Sequence, residues 1–445
     1  MPISSRITIW SLSFVCLQIL STSIICSAKD QKTGAPIFES NDPTEKLPLK
    51  TERQQNYSIS PSFKAKLNRR LSQLIGPRDA ALLTSPQGEL ILSRHRQKLL
   101  IPASTLKILT VLIAIDHLGF GYRFATDFYV DADRNLKIKG YGDPLMLSEG
   151  LAEIAHQLTR HITSIQHIII DDSYFDNAIV IPGKNKSLQP YDAPNGALCV
   201  NFNTVAFKKI HNRYVSAEKQ TPLLPFALAK AKASGLKQGR IMLAGKKNES
   251  LLYAGELIQF FLKQAGIRVT GNIRRGRIDQ NTDKLILHYL SRFSLDQVIT
   301  RLMKFSNNFI ANQLFLTSGA VVLGPPATLE KGVKIAHAFI HNQLGLKDVT
   351  MVEGSGLSLK NRISAEAMLM ALNHFRPYYE LLRHEKKEYY KTGTLSDVRA
   401  RVGFLEDNLG RHFAFVVILN TPGKSTKQIM QLFKKTVATI KQSPN

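Results

Sequence analysis

Cysteine, tryptophan and acidic residues are all scarce in this chain of 445 residues, which holds three cysteines, one tryptophan, and 34 Asp and Glu against 59 Lys and Arg. Two of the cysteines, Cys16 and Cys26, fall in an N-terminal segment that reads as an export signal. Arg6 precedes the apolar stretch Ile7–Leu20, and Cys26-Ser27-Ala28 offers small residues at the usual cleavage spacing. The competing reading, a retained anchor, is weakened by the Ser, Thr and Gln residues of that stretch. Cleavage near Ala28 leaves Cys199 alone, which excludes an intrachain disulfide and a cysteine zinc set, and it removes Trp10. The twelve histidines follow no H-E-x-x-H or similar ligand spacing, so neither a metal nor a cofactor is expected.

The shortage of acids leaves a formal net charge of +25 spread along the whole chain. No RNA- or DNA-binding motif accompanies it, so nucleic acid is not expected as a partner. The expected partners of an exported basic protein are anionic: weak association with a membrane or wall surface, and substrates ending in a carboxylate. A hydrophobic content of 44% excludes a disordered chain, and the length suits two to four domains.

What the chain does have is three short motifs in a telling order: Ser104-Thr-Leu-Lys107, Ser306-Asn-Asn308 and Lys391-Thr392-Gly393. Together they supply a hydroxyl nucleophile, a lysine to take its proton, a polar pair to relay it, and a cationic strand to grip a carboxylate. The chemistry they suggest is acyl transfer. Decoys of the same spacing occur at Ser216/Lys219, Ser234/Lys237 and Lys32-Thr33-Gly34. Only Ser104 follows Pro102-Ala103 and opens an apolar run, Leu106–Ile115, which predicts a buried helix with Ser104 and Lys107 on one face of its first turn. Helices predicted over Leu295–Phe305 and from Phe309 put Ser306 and Asn308 at a helix–helix junction. Lys391 to Thr394 reads as a strand, where Gly393 lets a substrate backbone lie close, and Phe413–Leu419 reads as a buried central strand.

Further stretches make a family resemblance specific: Gly142-Asp-Pro-Leu145, Asp171-Asp-Ser-Tyr-Phe175, Asn201-Phe-Asn-Thr204 and Gly354-Ser-Gly-Leu-Ser358. From about Ile59 to the C-terminal helix the chain resembles the D-alanyl-D-alanine carboxypeptidase/endopeptidases of the class C low-molecular-mass penicillin-binding proteins. The resemblance implies Ser104 as nucleophile and Lys107 as its base. It implies Ser306 and Asn308 as proton relay and amide holder, and Lys391, Thr392, Gly393 and Thr394 as the substrate strand. It further implies an oxyanion hole from the Ser104 and Thr394 amides, peptidoglycan stem peptides as substrate, and β-lactams as covalent inhibitors. Asp171, Phe175 and Asn203 are candidate substrate-pocket residues, with buried structural groups as their alternative. Glu353 stands where the family usually has aspartate, Asn312 replaces a frequent acid, and Pro182-Gly-Lys-Asn185 lacks the aromatics common in that loop.

The expected fold class is α/β (α+β): a serine β-lactamase/DD-transpeptidase-like catalytic domain, an antiparallel sheet flanked by helices, split by a large inserted α+β domain. In this layout 1–28 is the signal, 29–58 a flexible linker, 59–125 with 284–445 the catalytic domain, and 126–283 the insertion. The protein is expected to be exported, periplasmic or associated with the cell envelope. Two other functions fit the motifs less well. A serine β-lactamase or esterase on the same scaffold needs an added base for fast deacylation, and a non-catalytic peptidoglycan-binding protein would be expected to carry a damaged motif.

Overall fold

The computed structural model describes residues 60–184, 187–243 and 248–440. The expected signal, the linker, the decoy Lys32-Thr33-Gly34 and Asn185 lie outside the described residues.

The first layer is a six-stranded, wholly antiparallel sheet in the spatial order Arg383–Glu385, Glu388–Thr394, Arg399–Glu406, His412–Leu419, Asp79–Thr84, Leu90–Arg94. Val417 pairs with Ala81 and Arg401, which places His412–Leu419 in the interior of the sheet. Successive side chains of a strand point to opposite faces, and here both faces are covered. Phe413, Phe415, Val417 and Leu419 pack with Leu67, Leu71, Leu432 and Phe433 of two outer helices, Pro61–Leu74 and Lys427–Thr439. Ala414, Val416 and Ile418 face the opposite way, into a core shared with the helices Lys107–Leu118 and Ala365–Phe375. Burial on both faces is why this strand is a continuous apolar run and not an alternating one.

Behind that face the helix Lys107–Leu118 is buried almost all round, and Asn308–Leu323 packs against it. Leu295–Phe305 turns Leu295, Val298, Ile299, Leu302 and Met303 inward at helical spacing and starts with a Ser294/Gln297 capping box. The expected helix–helix junction at Ser306 is present.

A second, five-stranded sheet runs in the order Ile273–Arg275, Ile168–Asp171, Leu136–Gly140, Arg123–Val130, Lys284–Ser294. With the helices Ser148–Leu158 and Glu249–Gln264 it encloses its own apolar cluster, which includes Phe128, Ile138, Leu151, Ile170, Leu257 and Phe261. Lys284–Ser294 pairs with Arg123–Val130 and leads the chain back into the first core at Leu295, a core to which Leu145, Ala193 and Cys199 of the intervening segment also contribute. The β-prone stretch Ile165–Ile170 does not form one continuous strand. Ser164–Ile165 pairs with Arg268–Val269, and Ile168–Asp171 pairs with Leu136–Gly140. Between them His167 donates its amide to Asn135 Oδ1 and accepts from Leu136 N, which pulls the segment to a new partner.

Asp79, fully buried at the start of its strand, joins the outer layer to the sheet. One carboxylate oxygen accepts from the amides of Asn420 and Thr421, both at 3.0 Å. The other accepts from Gly76 N at 2.9 Å and Lys424 Nζ at 2.8 Å. Burial pushes this carboxyl up, but the bonds from Lys424, Thr421 and Gly76 outweigh it and hold the group below its ordinary value. The stabilisation is therefore present above the unfolded carboxylate value and is lost as pH falls through the folded one. Asp79→Ala, which strands Lys424 and three amides, is expected to cost about 3 kcal/mol in urea unfolding at pH 7. That deficit should shrink on acidification to about pH 3; an equal deficit at both would contradict this account of Asp79.

Candidate active site

Ser104 does not cap an α-helix. It lies in a tight 3-10 turn, Ala103–Leu106, that runs directly into the helix beginning at Lys107. A 3-10 turn has three residues per turn, so side chains at i and i+3 eclipse. The Lys107 ammonium group is thereby set over the hydroxyl, Nζ to Ser104 Oγ at 2.9 Å. Ala103 adopts the left-handed region, φ 49°, which is sparsely populated for a residue with a side chain.

Two glycines let neighbouring segments close on this turn. A Cβ on Gly356 would lie 2.0 Å from the Ala103 carbonyl oxygen, and one on Gly393 would lie 2.7 Å from Pro102 O and 3.0 Å from Ser104 N. The role read for Gly393 from sequence is therefore corrected: the missing side chain makes room for the nucleophile turn, not for a substrate backbone. The exposed side chains of that strand are Thr392 and Thr394.

The second motif is brought in by a break between helices. Ser306 ends Leu295–Phe305 in the left-handed region, φ 53°, and Asn307 caps the next helix by accepting from Ile310 N. This turn aims Ser306 and Asn308 at two different lysines. Lys391 Nζ donates to Ser306 Oγ at 2.7 Å and to Thr392 O at 2.8 Å. Lys107 Nζ donates to Asn308 Oδ1 at 2.8 Å. The three motifs thus converge, with one lysine bridging the first to the second and the other bridging the third to the second.

Sequence reasoning missed a fourth element. Lys107 Nζ also lies 2.6 Å from the carbonyl oxygen of Ser355. The loop that presents this carbonyl is held by Asn312 Oδ1, which accepts from Gly354 N at 2.7 Å, and by Thr110, whose hydroxyl donates to Gly354 O. Both Glu353 and Asn312 stood out in the sequence as departures from the family pattern. Nothing in their spacing linked them to Lys107.

Lys107 is fully buried and Lys391 nearly so, whereas Ser104 is half-buried. Burial, reinforced by the positive charge of Lys391 and opposed by Glu353, holds the Lys107 ammonium well below its ordinary pKa. Burial alone pushes Lys391 down to about 8. An uncharged Lys107 has two N–H bonds and one lone pair. Asn308 Oδ1 and the Ser355 carbonyl can only accept, so they take both hydrogens, and the lone pair is left facing the Ser104 hydroxyl. This arrangement can deprotonate a serine.

The three other pocket candidates lie elsewhere, in buried structural positions. Asp171 accepts from Ser173 N and Ile278 N, Phe175 packs against Gly142 and bridges to Ala327, and Asn203 donates to Pro194 O and the Cys199 thiol. Each is at most 2% exposed, so the pocket reading gives way to the structural alternative. The neighbouring Asp172 pairs with Arg275 at 2.9 Å. The decoy hydroxyls bond backbone carbonyls close in the chain: Ser216 Oγ donates to Glu218 O, and Ser234 Oγ to Ala231 O.

A family model described as D-Ala-D-Ala carboxypeptidase 3 (S13) matches residues 80–223 and 237–378. A D-alanyl-D-alanine carboxypeptidase of Actinomadura sp. (strain R39) is 23% identical over 63% of this chain and 61% of its own length. D-alanyl-D-alanine carboxypeptidase DacB of Haemophilus influenzae is 26% identical over 41% of this chain and 43% of its own. The matched region therefore spans less than two thirds of either relative. The crystal structure of penicillin binding protein 4 (dacB) from Haemophilus influenzae superposes with a TM-score of 0.67 at 19% identity, covering 83% of this chain and 98% of that one. The same protein has been solved in complex with a β-lactam. These likenesses bear out the expected fold class.

The electrostatic arrangement is open to direct titration. In NMR spectra of protein carrying labelled lysine, Lys107 should titrate well below free lysine, and Lys391→Met should move it upward, because burial is kept while the adjacent positive charge is removed. A Lys107 that titrates like a surface lysine, or that moves downward in the variant, would contradict the assignment.

Proposed function

We infer from the family to which this chain belongs, D-Ala-D-Ala carboxypeptidase 3 (S13), that it is a serine peptidase acting on the D-Ala-D-Ala ends and cross-links of peptidoglycan stem peptides through an acyl-enzyme. One observation carries the reading: the buried Lys107 Nζ, 2.9 Å from Ser104 Oγ, has its other two bonds directed to groups that can only accept.

In this mechanism Ser104 Oγ forms a bond to the carbonyl carbon of the penultimate D-alanine while its proton passes to Lys107. The oxygen of the tetrahedral intermediate lies between the Ser104 and Thr394 amides, which strengthen their bonds as its charge develops. When the carbon–nitrogen bond breaks, the proton moves from Lys107 to the leaving amine, directly or by way of Ser306. Lys107 is then free to take a proton from the water that hydrolyses the ester. Departure of D-alanine makes the reaction a carboxypeptidase, and departure of a cross-link amine makes it an endopeptidase. Lys391, with Thr392 and Thr394 beside it, is read as the receptor of the terminal carboxylate. A β-lactam would follow the same first step and leave a slowly hydrolysed ester on Ser104, a reading supported by the β-lactam complex of the related Haemophilus protein.

The segment 126–283 is read as an insertion that selects polymeric wall over small peptides. An apolar cluster distinct from the first core supports that reading, although the sheet over it takes its edge strand, Lys284–Ser294, from beyond the segment. Export to the periplasm or cell envelope is read from the N-terminal segment, and no helix among the described residues is long and apolar enough to cross a membrane.

Ser104→Ala should abolish covalent labelling by a fluorescent penicillin while lowering stability by only about 1 kcal/mol, the scale of one lost hydrogen bond. Labelling that survives, or that maps to Ser216 or Ser234, would overturn the assignment. Lys391→Ala should weaken cleavage of a stem peptide ending in carboxylate by about tenfold more than cleavage of its amide counterpart. Equal losses on the two would argue against carboxylate recognition.

A further inference from the structure

Glu353 is fully buried, and among the described residues no cation forms an ion pair with it. Such a carboxylate persists only if neutral dipoles satisfy it. Oε2 accepts from Ser355 N at 2.7 Å and from Ser355 Oγ at 2.6 Å, and Oε1 accepts from Asn361 Nδ2 at 2.7 Å and Ser358 N at 3.2 Å. Asn361 in turn accepts from Val352 N at 2.9 Å, which closes the loop on itself. Two of these bonds hold Ser355, whose carbonyl faces Lys107, and the others brace the loop Val352–Asn361 around it. Gly356, at φ 80°, seats the far side of the loop on the Ala103 carbonyl.

We propose that Glu353 is a positioning residue for proton transfer: by gripping Ser355 through both its amide and its hydroxyl, it aims the Ser355 carbonyl at Lys107 Nζ and so directs the Lys107 lone pair onto Ser104. The proposal rests on the serine mechanism above and adds a residue that contacts neither substrate nor nucleophile. Its charge has a second effect. Two buried lysines and one partly buried lysine lie around this region: Lys107 on the nucleophile helix, Lys391 on the substrate strand, and Lys184 on the loop whose Gly183 abuts Leu357. The anion favours the protonated form of Lys107 while Lys391 disfavours it, and it also favours protonation of Lys184, which burial pushes down to about 8. Glu353 thus keeps Lys107 basic enough to accept a proton while its bonds keep it aimed.

The test is the second-order rate of acylation by a penicillin as a function of pH, with peptide mapping of the adduct. Glu353→Gln puts an amide donor against groups that already donate, so the rate should fall about tenfold or more at its plateau. Its rising limb should also move to lower pH, because losing the anion lowers the Lys107 pKa. Glu353→Asp should restore the limb to the wild-type position and recover most of the rate. Ser355→Ala keeps the charge and removes one of the two grips on Ser355, so it should slow acylation by about threefold or more with the limb unmoved. A Glu353→Gln protein with wild-type rate and profile would overturn the proposal; if that variant does not fold, a wild-type rate in Ser355→Ala overturns it. Failure of wild-type protein to acylate at Ser104 would refute the serine reading itself, a result separate from any of these.

Discussion

The site depends on one buried amine with three oxygen neighbours. Lys107 Nζ touches Ser104 Oγ, Asn308 Oδ1 and the Ser355 carbonyl, and each lies on a different segment of the chain. Burial of a lysine without a carboxylate against it is costly if the group stays charged. The fold therefore favours the neutral amine, and Lys391 pushes in the same direction. Once neutral, the amine has only one orientation that satisfies all three neighbours. In the proposed mechanism the activation of the hydroxyl thus follows from packing, with no carboxylate or histidine hydrogen-bonded to the serine among the described residues.

The surrounding architecture serves that geometry. The 3-10 turn eclipses Ser104 and Lys107, and the left-handed Ala103 fits because Gly356 and Gly393 let a loop and a strand close on the Pro102–Ser104 backbone. The helix that follows is buried between the six-stranded sheet and Asn308–Leu323, so the proposed base is mounted on a confined element of the first core. Rigid support of this kind is what a proton transfer over hydrogen-bond distance requires.

Much of this could be read from the sequence, for identifiable reasons. The spacing Ser104 to Lys107 and the apolar run after it encode a local geometry, and Phe413–Leu419 encodes burial on two faces. Ser306 and Asn308 were legible from two helical patterns that meet between them. The Ser355 carbonyl was not, because a backbone oxygen leaves no trace in side-chain identity and Glu353 acts through it from two residues away. Gly393 was noticed, but the direction of its missing Cβ is a tertiary fact. Asp171, Phe175 and Asn203 attracted attention as polar or aromatic residues in family-like stretches. Such residues also occur in cores when backbone amides, carbonyls or packing partners satisfy them, as happens here. The break at Gln166 and His167 has a similar origin: isoleucines flank it on both sides, while the change of pairing partner is set by Asn135.

The central claim is that Ser104 carries the acyl group of the substrate during turnover, with Lys107 as the base that starts the step. Rapid acid quenching of wild-type protein mixed with a stem pentapeptide ending in D-Ala-D-Ala, followed by peptide mapping, measures this directly. The account predicts an early release of D-alanine matched by a tetrapeptidyl adduct on the peptide containing Ser104, absent when Lys107 is replaced by alanine. D-alanine release from wild-type protein with no adduct, or with the adduct on another residue, would contradict it.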